Sequence, residues 1–255
     1  MNLSIAWMLG LLTLLQAAPA PSVSSATTID HSTWDALLKL CVHEEKVDYI
    51  ALRDRYHDRL KAYLDSVGDI DPESLSRDEQ LALYINLYNA WMIELIVERY
   101  RPDLSPTDGK GAIWDEPRIG LGGKLISLNT LEHELIRKQL KEPRAHAALV
   151  CAALSCPALS TDAYTADKIE SQLDRAIRSW LNDPKRNVVD RENRQLRLSK
   201  IFRWYAADFG GADQLSKFAA QYLGDDVRDF SVSFLQYDWR LNDLSTAGRT
   251  DAISR

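Results

Sequence analysis

Apolar residues at helical spacing dominate the first half of the chain, and short strand-like runs enter only later. After Ser32-x-x-Asp35, which resembles a capping box, Trp34, Leu37, Leu38 and Cys41 recur at three- and four-residue intervals and predict a helix. A second helix is expected from Ile50 to Leu64. Ser76-x-x-Glu79 is a better box, and it opens a long helix, Asp78 to Tyr100, that Pro102 stops. Leu81, Leu83, Ile85, Leu87, Trp91, Ile93, Leu95 and Ile96 leave this helix apolar almost all the way round. Such a helix belongs at the centre of a domain.

Residues 101–117 are rich in Pro, Gly and Asp and read as a loop. Gly122-Gly123, set between Ile119/Leu121 and Leu125/Ile126, is a hairpin signal, and Ser127 then caps a helix to about Leu140. The continuous apolar run from His146 to Ala153 predicts a buried strand. Thr165 to Leu181 is an amphipathic helix ended by Asn182-Asp183-Pro184. Val188-Val189 and Leu196–Leu198 predict a second hairpin, and Ser199 caps a short helix that Gly210-Gly211 ends. Phe230, Val232 and Phe234 alternate as a late strand. Residues from about Leu244 look disordered. The fold class is therefore α+β: a helix-rich domain with a central buried helix and a small, mainly antiparallel sheet.

The N-terminus reads differently. Leu3 to Leu15 is nearly unbroken apolar sequence, and no charged side chain precedes Asp30. The run is shorter than the roughly 20 residues a membrane span needs. It suits the core of a signal peptide. Ala18 and Ala20 make an A-x-A site, but Pro21 would follow that cut, and cleavage after Ala26 fits as well. The expected organisation is a signal peptide over 1–26, one globular domain over 27–243 and a disordered tail over 244–255, in a periplasmic or otherwise exported protein. No later stretch is long and uncharged enough to span, so no membrane contact is expected after cleavage.

Charge narrows the partners. The chain carries a formal net charge of −6, all of it after residue 29, and its Lys and Arg are scattered. Without a basic stripe to displace counterions, nucleic acid is not an expected partner. A small-molecule or peptide substrate is compatible with this balance.

Three cysteines in an exported chain leave at least one unpaired. Cys41 lies on the apolar face of the first helix and reads as packing. Cys156 follows the expected strand and precedes Pro157. If Pro157 begins a helical turn, Cys156 caps it, where N–H groups favour a thiolate. A bridge between Cys151 and Cys156 is the alternative; it requires the chain to reverse through Ala-Ala-Leu-Ser, which has little turn chemistry. His133, beside Glu132, is a candidate base for a thiol, or else a half-buried histidine bonded to backbone. His146 is a second candidate, while His31, His43 and His57 sit among polar residues and read as surface. The spacing His146-x4-Cys151-x4-Cys156 matches no common zinc site, so neither metal nor cofactor is expected. Asn86 and Asn89 lie on one face of the most apolar helix. They either brace a neighbouring loop or help to build an oxyanion site, since buried carboxamides need partners.

Several segments together carry a resemblance. Ile85-Asn-Leu-Tyr-Asn-Ala90, Leu131-Glu-His133 and the stretch from Arg144-x-His146 to Ser155-Cys156-Pro157 come first. Leu198-Ser-Lys-Ile-Phe-Arg-Trp-Tyr205 with Asp208-Phe-Gly210, and Tyr237-Asp-Trp-Arg-Leu-Asn242, complete the set. In that order, over most of residues 30–242, they resemble the DUF547 family, a domain without an agreed function. The family pattern has Asn-Cys-Gly-x-x-Ser-Cys-Pro; here Val150 stands for the asparagine and Ala152 for the glycine. The resemblance implies a papain-like or transglutaminase-like fold with Cys156 as nucleophile. The expectation is then a thiol-dependent amide or peptide hydrolase or acyl transferase. Cys156 attacks a carbonyl, His133 or His146 takes its proton, Asp238 orients the histidine, and Asn86 or Asn89 helps hold the oxyanion. The rival is a periplasmic binding or scaffold domain in which these residues are structural.

Overall fold

The structure, a computed structural model, describes residues 29–246. The apolar run 3–15 and the expected cleavage sites lie outside the described residues, as does the tail beyond 246. Of the residues expected in the tail, 244–246 are described. Leu244–Thr246 forms a 3-10 turn, in which the Ser245 N–H donates to Asp243 Oδ1 at 3.1 Å.

Helix α1, Ser32–Cys41, buries Trp34, Leu37, Leu38 and Cys41, the residues whose spacing predicts it. A two-residue hairpin follows, β1 (Val42–His43) antiparallel to β2 (Lys46–Val47). Its turn places Glu44 and Glu45 at positive φ without the Gly or Asn that signals such a turn in sequence. Helix α2 runs on from Tyr49–Ala51 through a π-wound stretch, Leu52–Tyr56, into His57–Gly68. Asp48 caps it by accepting the Ala51 N–H at 2.8 Å.

Helix α3, Arg77–Arg99, carries the full reciprocal capping box between Ser76 and Glu79. Every position from Leu81 to Ala90 is buried, so α3 is the central helix. Each fully buried Leu or Ile on it contributes roughly 1.5–3 kcal/mol. Strands β3 (Ile119–Leu121) and β4 (Lys124–Ile126) pair antiparallel through Gly122-Gly123, both at positive φ. Helix α4, Thr130–Leu140, is π-wound, and the Ser127 hydroxyl accepts the Thr130 N–H at 3.1 Å.

The second half builds around α5 (Ile169–Leu181) and a three-stranded sheet in the order β5 (Val188–Asp190), β6 (Gln195–Leu198), β7 (Ser231–Phe234). β5 and β6 are antiparallel, whereas β7 lies parallel to β6. A parallel neighbour needs a crossover. Helices α6 (Lys200–Trp204) and α7 (Leu215–Leu223) supply it. The fold is α+β, helix-rich, with small and mainly antiparallel sheets.

One expected strand is absent. Pro143–Ala147 is a 3-10 turn, and residues 148–153 continue as irregular chain with a single bridge, Ala153 to Leu241. The run is apolar because it is buried, and its backbone groups find partners without a ladder. The Asn89 carboxamide donates to Ala148 O at 2.9 Å and accepts the Val150 N–H at 2.9 Å. A side chain thus replaces a neighbouring strand.

Buried residues form two clusters. The first surrounds α1–α4; the second gathers Trp180, Leu196, Phe202, Phe209, Phe218 and Val227 around α5, α7 and the three-stranded sheet. Ala147 belongs to the second cluster and Ala148 to the first, so the segment 143–156 runs along the seam.

Candidate active site

The seam segment is held at several points. Asn89 brackets Ala148 and Val150 from α3. The Leu154 N–H donates to Arg240 O at 2.8 Å, and the Ser155 N–H to Asp238 O at 3.2 Å. From the far side Arg186, only 7% exposed, donates to the carbonyl of Cys156. Its guanidinium also pairs with Asp183 and with Glu45, the latter at 2.9 Å. Ala152 takes φ 63°, a left-handed conformation that costs an alanine about 1 kcal/mol. That position explains the glycine in the family pattern.

The left-handed turn at Ala152 supplies the chain reversal that Ala-Ala-Leu-Ser does not advertise. It brings Cys151 and Cys156 together with Cα atoms 6.1 Å apart, and the two sulfurs are bridged. Cys156 is 1% exposed. Its sulfur accepts the Cys151 backbone N–H at 2.8 Å and lies 3.4 Å from the donating Tyr237 hydroxyl. Cys41 is free and buried, and burial pushes its thiol up to about 11, as suits a packing residue.

His146, 4% exposed, sits at the start of the same segment. Its ring stacks on Tyr205, centroids 4.3 Å apart, and leans on Phe209. Its Nε2 lies 2.7 Å from Asp208 Oδ2. Burial alone would raise the Asp208 pKa, but hydrogen bonds and charge from His146 and Arg137 outweigh it and hold the carboxyl well below the usual range. An ionised carboxylate only accepts, so Nε2 carries the proton and Nδ1 is left as the basic nitrogen.

Cys151, Cys156 and His146 line one cavity of about 180 Å³. Its other walls are mainly aromatic, from Tyr88, Trp114, Trp204, Tyr205, Tyr237 and Trp239. Glu132, 6% exposed, also faces it, and burial together with the neighbouring Glu132 pushes the Tyr88 and Tyr205 hydroxyls up. A larger cavity of about 420 Å³, bounded by Glu44, Pro157, Arg175 and Arg186, has no cysteine or histidine in its wall. Of these two cavities, the smaller is the one whose wall holds both cysteine and histidine.

Residues 72–181 match the family model described as "Protein of unknown function, DUF547". This stretch of the chain is a DUF547 segment. No curated protein and no solved structure matches the chain. The matched DUF547 segment contains Glu132, His133, His146, Cys151 and Cys156, and it stops short of Tyr205, Asp208 and Tyr237.

The candidates from the sequence separate in space. His133 of the DUF547 segment is partly exposed and accepts from Arg137 Nη1 at 2.9 Å; it is not among the cavity residues. His146, the second choice for base, is. Asp238 is clamped by Arg240, and the carboxylate that reaches His146 is Asp208. Asn89 braces the seam, and Asn86 does the same for Tyr164, donating to its carbonyl at 2.7 Å and accepting its N–H at 2.9 Å. Both carboxamides brace buried backbone. Among the described residues no group of three or more His, Cys, Asp or Glu is placed to hold a metal.

Of the histidines read as surface, His31 is buried, and His57 is partly exposed but paired. His31 is 5% exposed with Nδ1 2.8 Å from the Tyr63 hydroxyl, and His57 Nε2 pairs with the buried Glu94 at 2.9 Å. The sequence reasoning missed Asp208, Glu132 and Arg186. Asp208 and Glu132 stand inside the motifs that carried the resemblance, and that was the available signal.

Proposed function

We propose that this is an exported thiol enzyme that cleaves or transfers the acyl group of amides, with Cys156 as nucleophile and His146 as base. The observation that carries the proposal is a histidine oriented by Asp208 in the cavity that also contains the Cys156 sulfur. The bridged pair is the oxidised resting form. Two thiol–disulfide exchanges with an external thiol reductant open it, giving Cys151 and Cys156 thiols and the reductant's own disulfide. His146 Nδ1 then takes the Cys156 proton, and the thiolate is favoured by the Cys151 N–H and the Tyr237 O–H aimed at that sulfur. The thiolate adds to the amide carbonyl, the C–N bond breaks, and the departing amine takes the proton from His146. Water hydrolyses the thioester, or an acceptor amine takes the acyl group. Tyr237 is the hydroxyl donor available to the oxyanion, and Asp208 is a positioning residue.

A second reading rests on the bridge itself: a permanently closed Cys151–Cys156 pair makes the cavity a binding site without covalent chemistry. Iodoacetamide labelling of the full chain against pH separates the two, with and without prior reduction and beside Cys156→Ser. Selective labelling of Cys156 after mild reduction, with an apparent pKa well below about 8.5, supports the enzyme. Labelling only after denaturation supports the binding domain. Export rests on residues 3–15, and sequencing the N-terminus of the protein recovered from the periplasm or medium tests it.

A further inference from the structure

We infer that the cavity selects substrates whose acyl half bears a protonated amine, and that Glu132 is the group that reads it. The inference rests on the proposed thiol chemistry only for its wording as a substrate, not for binding. Glu132 is a buried carboxylate facing the cavity, and among the described residues it has no salt-bridge partner. The polar groups that act on it from the cavity wall are the neutral hydroxyls of Tyr88 and Tyr205. Arg137 acts on it electrostatically, but both of its forked donors are taken by Asp208, at 2.5 and 3.0 Å. A carboxylate has about four lone-pair sites, so two tyrosines leave it able to accept more. A buried carboxylate whose nearest cation is already committed to another anion is costly to keep, and a cationic ligand offsets that cost.

The walls suit the same ligand. Trp239 is in ring contact with Trp114, Trp204 and Tyr237, at 6.2, 5.7 and 4.5 Å between centroids. Ring faces attract ammonium groups. No Lys or Arg lines the cavity, so nothing there balances a substrate carboxylate. At about 180 Å³ the space falls below the roughly 300–1,000 Å³ of sites for drug-sized ligands, which limits the buried part to a small aminoacyl group. Because Cys156 lines the same space, the amine belongs to the acyl side of the bond attacked. Small aminoacyl amides and peptides with a free amino end fit this description; acyl groups ending in a carboxylate do not.

The test uses the full chain as Cys156→Ser, so binding is read without turnover. Two probes are titrated at pH 6.5 and followed by tryptophan fluorescence: L-alanine anilide, whose amine is protonated, and N-acetyl-L-alanine anilide, whose amine is blocked. The expected result is binding at least about tenfold tighter for the free amine, a preference that Glu132→Gln reduces to within about twofold. Equal affinities, or a preference that survives Glu132→Gln, overturn the inference. If Glu132→Gln does not fold, the two probes on the parent protein decide alone: a tenfold preference that weakens with added salt supports it, and no preference overturns it. Amine-selective binding with a Cys156 that never labels keeps this inference and removes the enzyme. Turnover without amine preference does the reverse.

Discussion

Acidification should destabilise the fold through His31, in an amount that follows from its burial. The imidazole packs against Tyr63 beneath the start of α1, and Nδ1 meets the Tyr63 hydroxyl at 2.8 Å. Burial lowers its pKa from 6.5 to about 4, with the charge of Asp30 opposing only weakly. The folded pKa is depressed, so between pH 6.5 and 4 the unfolded chain binds more protons than the native one. The stability present above pH 6.5 is therefore lost as pH falls through this window. At 1.36 kcal/mol per unit, the whole displacement is worth about 3.4 kcal/mol. Between pH 7 and pH 5 the unfolded imidazole becomes almost fully protonated and the folded one about a tenth so, which removes about 1.8 kcal/mol. Urea unfolding followed by circular dichroism at both pH values, beside His31→Gln, isolates the term. The glutamine carbonyl can still accept from Tyr63. Wild type should lose about 1.8 kcal/mol more than the variant over this interval. Losses that agree within about 0.5 kcal/mol would refute the buried-neutral assignment.

Three further outcomes test the site. Ala152→Gly should change stability by less than about 0.5 kcal/mol, because relief of the left-handed strain offsets the lost methyl burial, whereas Ala152→Val should cost roughly 2 kcal/mol or more; thermal melts of the pair check this. Arg186→Met leaves Asp183 without its buried cation and should cost about 3 kcal/mol in chemical unfolding, since one partner of a buried pair remains. In the reduced protein, Asp208→Asn should raise the apparent pKa of Cys156 labelling by about one unit without lowering the melting temperature below that of His146→Ala. An unchanged labelling profile would detach Asp208 from the thiol.

Most elements follow from local sequence, and the failures have local causes. The box at Ser76, the Gly122-Gly123 turn and the amphipathic 165–181 segment state their structure within a few residues, whereas the expected box at Ser32 does not form: α1 starts at Ser32 itself, with no side-chain cap. The segment after His146 does not, because an apolar run of that length fits either a strand or a buried loop, and the deciding partner, Asn89, lies 61 residues from Val150. The turns at Glu44-Glu45 and Ala152 use residue types that do not announce positive φ. Cys156 and His146 were legible because their types are scarce. Asp208 was not chosen, since Asp and Glu are abundant and only the fold selects the one that meets a histidine.

The His146–Asp208 pair ties the seam segment to a residue 62 positions further along the chain. The segment recognised as DUF547, residues 72–181, therefore ends before the carboxylate, the stacking ring of Tyr205 and the Tyr237 hydroxyl arrive. A chain cut at that boundary keeps the cysteines and the histidine but loses everything that aims them. The structural unit that holds this cavity is longer than its most recognisable stretch, and comparisons among such chains should extend through Asn242.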